Sequence, residues 1–241
     1  MSTSKSAGRF PRYPGVVSGL VLLGLAACQT SPPTAPTSPP PPPVTESAAI
    51  PANARELHVI PDESLLQVLV HRGGAMARLG HNHVIASHQL AGTVYVTDDA
   101  LQTRFDISFP VNDLTVDEPA LREQAGPDFP PGVPQSAREG THTNLLSEAL
   151  LDGAHYPAIR LRATDVIEAA GGYDMGVEIT IKDQVRTVRV PVAVERQDGA
   201  IKASGEFPLK QSELGLKPFS IAMGALVVLD DMTVRFSVIA R

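Results

Sequence analysis

Histidines are the residues of this chain whose spacing first suggests chemistry. Five of the seven, His58, His71, His81, His83 and His88, fall within one stretch of 31 residues. Inside it lies Gly80-His81-Asn82-His83. If 79–85 is extended, residues two apart point to the same side, which sets these imidazoles next to each other at roughly 7 Å between Cα atoms. Such a pair can ligate one ion, and zinc and copper both accept imidazole. His71 or His88 from a neighbouring strand would complete the set. Two other readings stand beside this one: the pair hydrogen-bonds the head group of a ligand at a rim, or the motif is a polar turn that binds nothing. No Cys or acidic residue has ligand spacing here, so no metal ligand is assigned.

Other reactive constellations are missing from the sequence. There is no Gly-x-Ser-x-Gly elbow, no His-Glu-x-x-His and no phosphate loop, so the chain reads as a binding protein, with no catalytic residue and no cofactor assigned. A Ser/His/Asp arrangement assembled in space would escape this reading. The only cysteine is Cys28, preceded by Leu25-Ala26-Ala27. That tetrad resembles the lipobox of bacterial lipoproteins, in which the cysteine becomes the lipidated first residue of the mature chain.

The segments around Cys28 fit the same reading. Residues 1–27 carry Lys5, Arg9 and Arg12 and then an apolar run from Val16 to Ala27, too short to span a bilayer and laid out as a secretory signal. Residues 28–52 follow the cysteine with Pro32, Pro33, Pro36 and the block Pro39 to Pro43, a polyproline-type spacer. About 20 such residues at ~3.1 Å each reach about 60 Å. The expected location is the bacterial envelope, lipid-anchored, with Gln29 after the cysteine favouring the outer membrane by resemblance to enteric lipoproteins. Without the signal, 17 Lys and Arg face 26 Asp and Glu, which excludes nucleic acid as a partner. No protein partner is indicated.

Residues 53–241 must form the folded domain, and their pattern has period two. Phe105, Ile107, Phe109 and Val111 alternate with Arg104, Asp106 and Ser108. The same alternation marks Tyr173 to Ile181 and Met232 to Val238. Weaker strands are expected at Leu65 to His71, Thr93 to Thr97, Ile159 to Thr164, Val185 to Glu195 and Ile201 to Leu209. Turn signals separate them at Gly73-Gly74, Asp98-Asp99, Gly171-Gly172, Asp183-Gln184 and Asp198-Gly199. One short helix is expected at Thr143 to Leu151, and 117–140, with Pro127, Pro130, Pro131 and Pro134, reads as a long loop. The fold class is therefore all-β: an antiparallel barrel of about eight strands or a sandwich, which pattern alone does not separate. The absence of Trp leans toward a hollow barrel. In a barrel, the ligand-binding residues are Phe105, Ile107, Phe109, Val177, Ile179, Phe207, Val234 and Phe236, with His81 and His83 at the rim.

Several segments resemble the YceI-like family. They are Leu90-Ala91-Gly92-Thr93-Val94, Ala154-His155-Tyr156-Pro157 before a strand, and Gln211-Ser212-Glu213-Leu214-Gly215, which is similar to the family's Arg-Ser-Asp-Phe-Gly. The resemblance covers about residues 55 to 241. It implies a lipocalin-like barrel whose lumen holds a long-chain polyisoprenoid or quinone-like lipid in the envelope. Two segments depart from the family pattern, Leu79-Gly80-His81-Asn82-His83-Val84 and Thr143-Asn144-Leu145. A histidine-dependent metal-binding or redox-partner docking module of the periplasm is the alternative function.

Overall fold

Alternation of apolar and polar residues builds almost everything in the computed structural model, which describes residues 49–241. The signal segment, Cys28 and the proline-rich linker up to residue 48 lie outside the described residues. The strands are β1 (Arg55–His58), β2 (Leu65–Gly73), β3 (His83–Ser87), β4 (Ala91–Val96), β5 (Arg104–Pro110), β6 (Thr115–Val116), β7 (Ala158–Ala169), β8 (Gly172–Ile181), β9 (Gln184–Gln197), β10 (Ala200–Lys210), β11 (Ser220–Ile221) and β12 (Leu226–Ala240). Two helices, α1 (Pro119–Ala125) and α2 (Gln135–Leu146), lie between β6 and β7.

All strands join one antiparallel sheet in the order β1-β4-β5-β7-β8-β9-β10-β12-β2-β3-β6, with β11 added on β12. The sheet curls until β1 meets β12. Val59 bridges Ala240, the His58 N–H donates to the Arg241 carbonyl at 2.7 Å, and the Ile60 N–H donates to Ile239 at 2.8 Å. The expected count of about eight is thus corrected to twelve strands. The reason is that three columns are broken. β1 and β2 lie end to end along β12, interrupted by a turn at Pro61–Glu63, where proline has no N–H for a ladder. β3 and β4 are separated by residues 88–90, and β5 and β6 by residues 111–114.

The two-residue hairpins are at 170–171, 182–183 and 198–199. Asp198 and Gly199 have φ of 51° and 81°, the left-handed pair that matches the twist of the flanking strands. At the second turn the link is Lys182-Asp183, one residue before the expected Asp183-Gln184. The β9–β10 ladder stops at Ala193 and Ser204. Beyond it stand Pro191 in β9 and Pro208 in β10, neither of which can donate to a neighbour.

Both helix expectations are corrected. The stretch 117–140 is not a loop, since it contains α1 and the first half of α2, and the second helix runs over Gln135–Leu146 instead of Thr143 to Leu151. After Leu146 the chain turns back, with the Leu151 N–H bonded to the Leu145 carbonyl at 3.1 Å. Helix α2 buries only Leu145, so it has no apolar stripe for periodicity to reveal.

Candidate apolar lumen and its polar rim

Inward positions of consecutive strands stack into one apolar core that includes Val177 and Ile179 of β8, Val190 and Val192 of β9, Phe207 and Leu209 of β10, and Met232 and Val234 of β12. That core is not filled. A cavity of about 230 Å³ lies within it. A second, of about 400 Å³, opens toward the helices. The two share Leu66, Val68, Phe109, Ile159, Ile181, Leu214 and Met232 as walls, so they form one lumen narrowed by those side chains. Val228 lines one end and Ala240 the other, twelve residues apart on β12. At ~3.3 Å per residue and a strand tilt of ~40°, this gives a slot of about 30 Å along the barrel axis.

Each of the eight apolar positions expected from the sequence, Phe105, Ile107, Phe109, Val177, Ile179, Phe207, Val234 and Phe236, lines this lumen. His81 and His83 sit elsewhere, on the rim of the larger cavity. His83 opens β3, while His81 precedes it outside any strand, and their ring centroids are 6.1 Å apart.

Two neighbours take both ring nitrogens of His83. Its Nδ1 is 2.6 Å from Asp117 Oδ2. Its Nε2 lies 3.1 Å from the Thr141 hydroxyl on α2. Asp117 is 2% exposed at φ 57°, and its other oxygen accepts from the Val84 N–H at 2.9 Å and from the Arg122 guanidinium. Arg122, 3% exposed, also donates to the carbonyls of Asn82 at 2.8 Å and Pro130 at 2.7 Å. Burial works against the Asp117 charge, but the bonds from His83, Val84 and Arg122 outweigh it and hold the carboxyl below its ordinary range. One ion cluster thus ties β3, the chain after β6, α1, the proline-rich turn and α2 together. Asn82 adds a bond from its amide to the Asp128 carbonyl at 2.8 Å.

The Asp117–His83–Thr141 chain has the connectivity of a hydrolytic triad, with its hydroxyl inside helix α2. The arrangement is a latch. His81 is different: burial, reinforced by the nearby His83, Arg72 and Arg122, lowers its pKa below the ordinary histidine value, so it is a neutral polar group at neutral pH. Among the described residues no group of three or more His, Cys, Asp and Glu is placed to hold a metal ion.

At the opposite end, Arg55 and Arg196 share a polar basin of about 400 Å³ with Asp98 and Asp198. Arg196, Val96 and Ile201 line both this basin and the lumen.

The YceI-like domain matches over residues 70–240. The chain belongs to the YceI-like family. No curated protein matches it in sequence. Among solved structures it is similar to BcnA of Burkholderia cenocepacia, with a TM-score of 0.57 at 16% identity, covering 76% of this chain and 99% of that one. It is also similar to a polyisoprenoid binding domain from Saccharophagus degradans, with a TM-score of 0.50 at 11% identity, covering 77% of this chain and 97% of that one. These likenesses and the family membership establish a lipocalin-like fold around the apolar lining.

The sequence did not point to Asp117, Arg122 or Thr141. Asp117 is one of 26 acidic residues, and only its fold partners distinguish it. Pro119 at the first turn of α1 was the available sign that a helix follows.

Proposed function

We propose that this protein holds a long-chain polyisoprenoid or quinone-like lipid in its lumen, within the bacterial envelope, tethered by a lipid on Cys28 and directed to the outer membrane. The observation that carries the reading is the long, narrow slot walled almost wholly by apolar side chains and ending in polar groups at both mouths. A compact ligand would leave much of such a slot empty, whereas a linear chain fills it. Lumens of this size, about 300–1,000 Å³, are the usual scale for small-molecule sites. The polyisoprenoid binding domain with the same fold supports the ligand class.

His81 is the head-group contact in this reading, as a neutral imidazole beside Arg72 at the wide mouth. His83 serves the scaffold.

Native mass spectrometry of protein purified from bacterial envelopes, before and after organic extraction, tests the assignment. A mass excess equal to one apolar lipid, removed by extraction, is expected. Ile179→Trp should lower that occupancy while leaving stability nearly unchanged. If the lumen is instead a packed core, the added bulk costs about 1–3 kcal/mol and no lipid is ever found. Cys28→Ala should move the protein from the membrane to the soluble fraction. Retention in the membrane would refute the anchor.

A further inference from the structure

Two segments frame the wide mouth, 74–82 between β2 and β3 and 211–225 between β10 and β12. They lie side by side, with the Met76 N–H donating to the Ala225 carbonyl at 2.7 Å and Gly74 set against the Gly224 and Ala225 carbonyls. From this pair of segments Met76, Leu79, Ile221 and Met223 project into solvent, and Met223 is fully exposed at 107%. Such a cluster is a poor surface for water, and exposed apolar patches of this kind mark interaction sites.

Backbone geometry holds the tip in place. Ala222, Met223 and Gly224 have consecutive φ of 49°, 55° and 87°, and two of them carry side chains that disfavour this region. Strain of this kind persists where the surrounding structure imposes it, and here it turns an unbranched thioether outward.

The patch continues the lumen. Ile221 is both exposed and part of the cavity wall, next to Leu226, Gly80 and His81. Charge is segregated in the same place. The chain carries a net charge of −6, yet the framing segments 74–82 and 211–225 contain a single acid, Glu213, beside Arg78 and Lys217, with Arg72 just ahead of the first, the three cations all exposed. Apolar tips with a cationic surround are the chemistry of a surface that sits in a lipid interface and attracts anionic head groups.

We propose that the wide mouth docks on an anionic lipid bilayer, inserting Met223, Ile221, Leu79 and Met76 so that a lipid passes between membrane and lumen without crossing water. The proposal rests on the lumen being a lipid site. It adds the direction of entry, from the helix-bearing end of the barrel and not from the Arg55–Arg196 end.

The chain has no tryptophan, so one introduced residue reports its own surroundings. Met223→Trp in the full chain should shift its emission to the blue on addition of phosphatidylcholine vesicles containing phosphatidylglycerol, and lipids with brominated chains should quench it. The shift should shrink with phosphatidylcholine alone, in high salt, or when Leu79→Asp is added. Leu101→Trp, at the opposite end, should not move. Ile221→Trp replaces Met223→Trp if thermal unfolding shows the latter to be misfolded. Equal shifts at both ends, or none at the wide mouth, overturn the proposal. So does a shift of Met223→Trp that grows with protein concentration without vesicles, since a second copy then covers the patch. Native mass spectra of the same samples separate the two ideas: docking by an always empty barrel defeats the lipid-carrier reading alone, and a lipid-filled barrel that never docks defeats this one alone.

Discussion

The two ends of the barrel are built by different means. At the narrow end, neighbouring strands are joined through residues 170–171 and 198–199, each link a turn that its own residues dictate. At the wide end only the link at 182–183 is such a turn; the rest of the chain runs through 74–82, 111–157 and 211–225, and what holds these segments is a set of bonds between residues far apart in sequence, such as His83 with Thr141 and Arg122 with Asn82. Local turn chemistry fixes register and little else. Distant side-chain bonds can define a mouth, and they can also release it, because each depends on only a few groups.

The comparison breaks most sharply at Asp117. Asp117→Asn keeps the residue's tolerance for a left-handed backbone but leaves Arg122 buried without its counter-charge, and removing one partner of a buried pair costs about 3–5 kcal/mol. Denaturant unfolding should show that loss, and hydrogen exchange should show α1 and α2 opening before the sheet. A loss below about 0.5 kcal/mol, the level of an ordinary surface change, would mean that the cluster does not hold the wide end.

A smaller effect is expected at the narrow end. Gly199→Val places a branched residue at φ 81°, and the left-handed region costs a residue with a Cβ about 1–2 kcal/mol. The midpoint of thermal unfolding should fall while lipid occupancy of the folded protein stays as in wild type. A change in occupancy would show that the two ends are not independent.

The smallest expected effect is that of pH. His81 has a folded-state pKa below its unfolded value, so the unfolded chain binds the proton more readily. Stability attributable to this group is complete above the ordinary histidine value and declines as pH falls below it, until the folded form is protonated as well. Asp117, also lowered, withdraws its contribution only at pH below the ordinary carboxylate range. Thermal midpoints measured across mildly acidic pH should therefore fall in wild type and flatten in His81→Gln. An unchanged slope in the variant would assign the sensitivity to another group.

Much of the barrel was legible in the sequence because a strand with one buried face writes itself in alternation. Phe105, Ile107 and Phe109 announce both their strand and their side of it. Helix α2 was hidden for the converse reason: its residues 135–146 bury Leu145 alone, so nothing periodic marks it. The rim shows a similar contrast. His81 and His83 stood out by spacing, but their different roles did not, since His83 becomes a scaffold residue only when Asp117 and Thr141 arrive from 34 and 58 positions away. Met223 reads in sequence as one more apolar residue before a strand, and only its backbone torsions turn it outward.

The seam between β1 and β12 carries a kinetic consequence. Its contacts join the extremes of the domain, as in the ion pair of Glu63 with Arg241 across 178 positions. A ladder of that separation must wait for almost the entire domain to leave the ribosome, and closing so long a loop is slow compared with forming the adjacent hairpins. Until then two sheet edges stand open, at β1 and at β12, each able to pair with a neighbouring chain. The Arg241 carbonyl, which accepts from the His58 N–H, belongs to this late-forming seam. A tag fused directly after Arg241 would crowd that seam, slow its closure and raise the yield of aggregates, whereas a tag placed ahead of β1 would not.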